Sequence, residues 1–307
     1  MFYLKIIHFI RRKTLKNKIK MEITVAPMVD STVWEMPYLL KGLDMIKAEL
    51  NDEYHFIFAR TNVPQEIQQF KDCVKKDKKN ILILLSDEAG IRPYFLDELF
   101  LVFRTYSNKN LYDDKKIFAI PCGYCGGSAM SYNNHQYLDM EKDKAPLIDR
   151  EYDIFYSAQM SPNRIECVNN LMKIKDKFNT IINVTDGFAK GVSLVEYYNL
   201  MQNSKIAIVP NGAVVPESFR YFEAFESNCV VITSFPRNID LYNNWFYDNS
   251  PAVFINNWNE LTENLIRNLL TDENLKKYEI ENKKYFNNNL SSKAISSYML
   301  NVINKNN

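Results

Sequence analysis

Ser218, Arg220 and Glu223 sit close together in the run Pro216-Glu-Ser-Phe-Arg-Tyr-Phe-Glu-Ala224, and side chains of these types at this spacing could hold a nucleotide. The run predicts a helix beginning at Ser218, whose hydroxyl suits an N-cap. The free N–H groups and dipole of a helix N-terminus favour an anion, a phosphate above all. Arg220, in the first turn, can add a fork of donors to the same anion. Glu223, three residues on and on the same face, could accept both hydroxyls of a ribose. Without a ligand the same residues read as an ordinary cap and a surface pair, and the local pattern leaves both open.

A second chemistry belongs to carboxylates that follow strands. Asp87 and Glu88 come directly after the apolar run Asn80–Leu85, and Asp30 comes after the first strand pattern. A carboxylate placed there can serve as a general base toward a hydroxyl, the competing reading being a loop carboxylate or helix cap. Metal or redox chemistry has less support. Cys122 and Cys125 form a C-x-x-C pair, but no second pair exists and the five cysteines are scattered, so coincidence is the preferred reading. Three histidines are too few for a His-rich metal site. There is no G-x-G-x-x-G after a strand, no G-x-x-x-x-G-K-[ST] and no Asp-x-Asp, which removes the dinucleotide, P-loop and metal-diphosphate signatures.

The elements that must position these residues alternate along the chain. Strand patterns are expected at 22–27, 55–60, 80–85 and 116–121, with helices at 37–50, 64–76 and 96–106. After a polar stretch at 131–150, strands are expected at 153–157, 180–184, 205–210, 229–234 and 252–255. Helices are expected there at 164–176, 194–204, 218–227 and 260–289, with a fraying Asn- and Lys-rich tail. Such alternation predicts an α/β protein with two Rossmann-like, doubly wound domains facing across a cleft. The domains are 21–145 and 151–307, preceded by a basic segment, 1–20. Seven of the eight glycines (Gly90, Gly123, Gly126, Gly127, Gly187, Gly191, Gly212) follow strand patterns, which places the expected site at the strand C-termini of both domains.

Composition removes other classes. With 38 basic and 37 acidic residues the formal charge is +1, so no cationic excess points to nucleic acid. An odd, scattered cysteine set fits a reducing cytoplasm better than a disulfide framework. The apolar run at 2–10 is shorter than a bilayer span, and the Arg- and Lys-rich run after it suits the surface of an anionic membrane. A leader upstream of Met21 is the equal alternative.

The segment 204–233 resembles the exostosin-like glycosyltransferases and related two-domain (GT-B) transferases. Their donor segment runs Ser-x-Phe, Pro-x-Gly, Ser-x-Arg-x-x-Glu-Ala and Gly-Cys-x-Pro-Val. Ser204, Pro210, Gly212, Ser218, Arg220, Glu223, Ala224 and Cys229 match in order, while Asn228 and Val231 depart from its Gly and Pro. Upstream, Asp153–Arg164, with Gln159 and Arg164, is similar to the opening of the family's C-terminal domain. Arg104-Thr-Tyr106 and Ile120-Pro-Cys-Gly-Tyr124 look like pieces of related N-terminal domains.

The resemblance implies an enzyme that moves a sugar from a nucleoside diphosphate sugar to a hydroxyl of a glycan or lipid-linked glycan, with no metal and no cofactor. Donor contacts would come from Gln159, Arg164, Pro210, Asn211, Gly212, Ser218, Arg220 and Glu223. Asp87 or Glu88 would be the base and Asp30 the next choice, with Arg104, Tyr106, Gly123 and Tyr124 lining the acceptor side. Retaining relatives often carry Glu-x7-Glu around the donor helix; Glu217 and Glu223 are too close for that, which favours inversion. The expected location is the cytoplasm, on the inner face of the membrane through residues 1–20. The alternatives are a two-lobed sugar- or nucleotide-binding protein without catalysis and a nucleotide-sugar epimerase, the latter disfavoured because 151–307 lacks histidine.

Overall fold

A parallel strand buried on both faces needs an unbroken apolar run, and Ile81-Leu-Ile-Leu-Leu85 supplies one. In a computed structural model it forms β3 (Lys79–Leu85), buried from Asn80 to Leu85. The structure describes residues 21–26, 36–60, 70–85, 92–106, 114–123, 144–187, 190–212, 217–234 and 245–307. Flanking β3 are β1 (Glu22–Val25), β2 (Tyr54–Arg60), β4 (Leu101–Arg104) and β5 (Ile117–Ala119). They pair in parallel in the order β1-β2-β3-β4-β5.

The second sheet contains β6 (Tyr152–Gln159), β7 (Thr180–Thr185), β8 (Ser204–Val209), β9 (Val230–Thr233) and β10 (Val253–Phe254). Its order is β10-β9-β8-β6-β7, again parallel throughout. The chain moves one way from β6 to β7, then crosses back so that β8 lies on the other side of β6. This reversal is a topological switch point, and the second sheet is doubly wound as expected. The first sheet is not, because its described strands advance in one direction without reversal.

Helices are α1 (Met36–Ile46), α2 (Ile165–Ile174), α3 (Leu194–Gln202) and α4 (Phe219–Glu226). They are followed by α5 (Glu263–Leu269), α6 (Asp272–Tyr285) and α7 (Ser292–Lys305). Four helix expectations need correction. Residues 96–106 form a short 3-10 turn, Leu96–Glu98, and then strand β4 rather than a helix. All four β4 residues are buried between β3 and β5, and a short apolar run cannot be told from a helix by periodicity. The expected single helix at 260–289 divides because the Thr271 side chain caps a new helix by accepting the Asn274 N–H.

The tail does not fray. It forms α7, with Ile295, Met299, Val302 and Ile303 buried and the Ser291 side chain accepting the Ala294 N–H. This helix returns to the first sheet. It approaches α1 at Gly42, where an added Cβ would lie 3.0 Å from the Ser292 carbonyl, and Tyr298 meets Phe103 of β4 at 6.5 Å between rings. One apolar cluster therefore runs from Phe56, Phe58 and Phe103 through Phe155, Phe222, Phe225 and Phe246 to α7. The opposite face of the second sheet has its own core, including Ile154, Tyr156, Ile206, Ile208 and Trp258. Residues 64–69 of the expected helix at 64–76 and the polar stretch at 131–143 lie outside the described residues, while 72–76 are turns and irregular chain rather than helix.

Candidate nucleotide site

The C-terminal ends of β6 and β8, on either side of the switch point, are tied together by side chains. Arg164 is buried, and its Nη1 donates to the Gln159 carbonyl at 2.8 Å. Its Nε and Nη2 donate to the Asn211 carbonyl at 3.1 and 3.0 Å. Beside it Asn163 Nδ2 donates to the Gly212 carbonyl at 2.7 Å. Arg164 thus donates three hydrogen bonds to backbone carbonyls and shapes the loop after β8. Gln159 contributes the carbonyl that Arg164 grips. Pro210 is buried, while Asn211 and Gly212 are half-buried. The Asn211 Oδ1 is buried and has no hydrogen-bond partner among the described residues.

Arg220 behaves differently. It projects from the first turn of α4, half-buried, and its Nε donates to the Ser157 carbonyl on β6. Among the described residues its two Nη groups have no acceptor. A cation anchored by one nitrogen, with its two Nη groups left over, is the arrangement an oxyanion recognises. On β6 next to Ser157, burial pushes the Tyr156 phenol up to about 12, Cys167 adding to the rise while Arg164 and Arg220 oppose it.

Two expectations for α4 are revised. Ser218 occupies the N-cap position, with φ −142° and ψ 136°, yet its side chain makes no capping bond. The Tyr221 N–H instead reaches the Ser218 carbonyl at 3.0 Å, so the hydroxyl has lost the donor a cap would use. Glu223 is buried and turned inward: Oε2 accepts from Tyr197 Oη at 2.7 Å and Oε1 from Tyr198 Oη at 2.8 Å. Both carboxylate oxygens serve to dock α4 on α3, which leaves no exposed carboxylate for a ribose.

On the first sheet, Arg104 ends β4 and is fully buried, so its side chain does not line an open surface. Tyr106 is buried with φ 53°, and Gly123 has φ 73°. A Cβ on Gly123 would come within 2.2 Å of the Tyr38 ring, so this position is restricted to glycine on two grounds. Asp30, Asp87, Glu88 and Tyr124 lie outside the described residues. A residue absent from the expected donor set, Glu217, reaches across from the second sheet: its buried carboxylate accepts the Cys122 N–H at 2.8 Å. Its position directly before the helix N-terminus was the available signal. Trp245 Nε1 makes a parallel bridge to the Ala119 carbonyl at 3.3 Å.

Among the described residues no group of three or more His, Cys, Asp or Glu is placed to hold a metal ion. No described helix is long and apolar enough to cross a membrane.

No protein-family model matches the chain, and no curated protein matches it. Solved structures do. An α1,3-fucosyltransferase aligns over 95% of this chain and 92% of its own, with TM-score 0.51 and 13% identity. A glycosyltransferase from Rickettsia africae ESF-5 aligns over 98% and 87%, with TM-score 0.49 and 15% identity. At such identities the likeness is one of fold: two parallel five-stranded sheets in the arrangement of GT-B glycosyltransferases.

Proposed function

We propose that this chain is a glycosyltransferase that takes a sugar from a nucleoside diphosphate sugar and places it on a hydroxyl of a glycan or lipid-linked glycan. The carrying observation is Arg220, held by the Ser157 carbonyl at the switch point of the second sheet with its Nη donors uncommitted among the described residues. Open α/β sheets bind ligands outside the strand C-termini at such a point. The α4 N-terminus and the Pro210–Gly212 loop lie on the same end of the sheet. The likeness of fold to a fucosyltransferase agrees with this reading.

In the proposed mechanism the negative charge that grows on the departing diphosphate is met by Arg220 and the first N–H groups of α4. Arg164 holds Asn211 and Gln159 in place. The base toward the acceptor hydroxyl is Asp87 or Glu88, with Asp30 next, residues that follow β3 and β1 in the sequence. Transfer proceeds with inversion and without a metal. Residues 21–145 take the acceptor and 151–307 the donor across a cleft between them, with 292–305 also bracing the first sheet. The protein works in the cytoplasm, touching the inner face of the membrane through residues 1–20.

The test is a thermal-shift panel of UDP, GDP, CMP and ADP sugars, followed by nucleoside diphosphate release with and without added glycan. A ligand present at about 100 times its dissociation constant adds about 2.7 kcal/mol of stability. A donor that both stabilises the protein and is consumed supports transfer. Stabilisation without release in any acceptor mixture would leave a binding protein.

A further inference from the structure

We propose that Glu217 is a positioning residue that couples the donor end of the second sheet to residues 117–123 of the first, so that occupying one steadies the other; this rests on the donor reading above. Glu217 directly precedes Ser218 and α4, and the residue is only 2% exposed. Its bond from the Cys122 N–H, 2.8 Å, joins chain positions 95 residues apart. The segment it grips is held from the other side by α1. There Tyr38 Oη donates to the Pro121 carbonyl at 3.1 Å, and the Tyr38 ring lies against Gly123. Residues 121–123 are therefore pinned between Tyr38 of the first half and Glu217 of the second.

A carboxylate buried at a junction costs desolvation, which a bond from a backbone N–H offsets only while the geometry holds. The carboxylate's position is set by the backbone of residues 217–220. An anion bound to the first N–H groups of α4 and to Arg220 restrains that same backbone, and so restrains the carboxylate and the Cys122 amide behind it. Because linkage is reciprocal, a ligand that orders 117–123 would strengthen nucleotide binding by the same factor. A simple brace between halves would hold 117–123 equally with and without nucleotide.

Hydrogen exchange on the full-length protein separates these cases, with UDP and GDP as probes. In the wild type, saturating nucleotide should slow exchange at 211–220 and also at 117–123, the distant effect being about 5–150-fold. In Glu217→Ala and Glu217→Asp the local slowing at 211–220 should remain while the response at 117–123 falls below about twofold. Glu217→Gln keeps an acceptor oxygen at the same reach and should restore the response. If the alanine variant does not fold, the contrast between aspartate and glutamine carries the test. Equal responses at 117–123 in wild type and in the aspartate or alanine variant would overturn the proposal. If neither nucleotide slows exchange at 211–220 in the wild type, the donor reading fails. In that case faster exchange at 117–123 in the ligand-free variants would leave Glu217 a structural brace only.

Discussion

Among the described residues the two sheets have the same number of strands and the same parallel pairing, yet only the second reverses direction. In the second sheet, the connections on the two sides of the β6–β8 boundary leave in opposite directions, and the loops there are stitched by Arg164 and Asn163 before any ligand arrives. The first sheet runs in sequence, and its strand ends depend on outside support. Tyr38 holds Pro121, Glu217 holds Cys122 and Trp245 holds Ala119, the last two from the second half of the chain. The difference teaches where rigidity comes from. The switch-point end of the second sheet is preorganised by contacts within that half, while residues 119–122 of the first are held in part by Glu217 and Trp245 of the second half.

The sharpest way to break that comparison is at Arg164. Truncation to alanine removes three part-buried hydrogen bonds to Gln159 and Asn211, and should cost about 3–5 kcal/mol in urea unfolding. Arg164→Lys should recover little, since an ammonium cannot span both carbonyls as a guanidinium fork does. A near-neutral result would mean that the loops at the switch point hold themselves.

The first half should respond more mildly, and through α7. Gly42→Leu would press its side chain into the Ser292 carbonyl, already 3.0 Å from an ideal Cβ, at a cost of about 1–3 kcal/mol. Truncating α7 before Ser292 in the same background should make the leucine variant indistinguishable from its parent. If the penalty persists after truncation, the close approach is not its cause.

The smallest expected effect is a pH dependence at the far end of the first sheet. Asn80 Nδ2 donates to the Lys75 and Lys78 carbonyls at 2.7 and 3.0 Å, which orients its Oδ1 as an acceptor. His55 Nδ1 then donates to that oxygen at 2.9 Å, and Nε2 accepts from the Thr24 hydroxyl at 2.8 Å. Burial lowers the His55 pKa; the Asn80 bond and Glu22 oppose this, and Lys75 and Lys78 add to it. A histidine lowered in the folded state stabilises fully above its unfolded value of about 6.5, and that contribution is lost as pH falls toward the folded value. Urea midpoints should therefore drop between pH 7.5 and pH 5.5, by less in His55→Gln. An identical drop in both would remove His55 as the source.

Much of this was legible in the sequence where the signal was local. β3 was readable because it is apolar throughout, and α4 because the motif around Arg220 has a single helical reading. β4 was not, since Leu101-Val-Phe-Arg104 is too short to show a period and follows Leu96 and Leu99 at helical spacing. The final helix was hidden by its Asn and Lys content, although Ile295, Met299, Val302 and Ile303 repeat at three- and four-residue intervals. The roles of Arg164 and Glu223 were beyond local reading for a different reason. Asn211 lies 47 residues downstream of Arg164, and the tyrosines that hold Glu223 lie 25–26 residues upstream of it, so only the fold decides whether a polar side chain is spent on the protein or left for a ligand.

Arg220 is the residue proposed to meet the diphosphate. Calorimetric titration of UDP and GDP into wild type and Arg220→Ala tests it most directly. Loss of a charged donor to the anion should weaken the preferred nucleotide by about 10–100-fold with the thermal midpoint little changed. The same dissociation constant in both proteins would contradict the account and place the anion elsewhere.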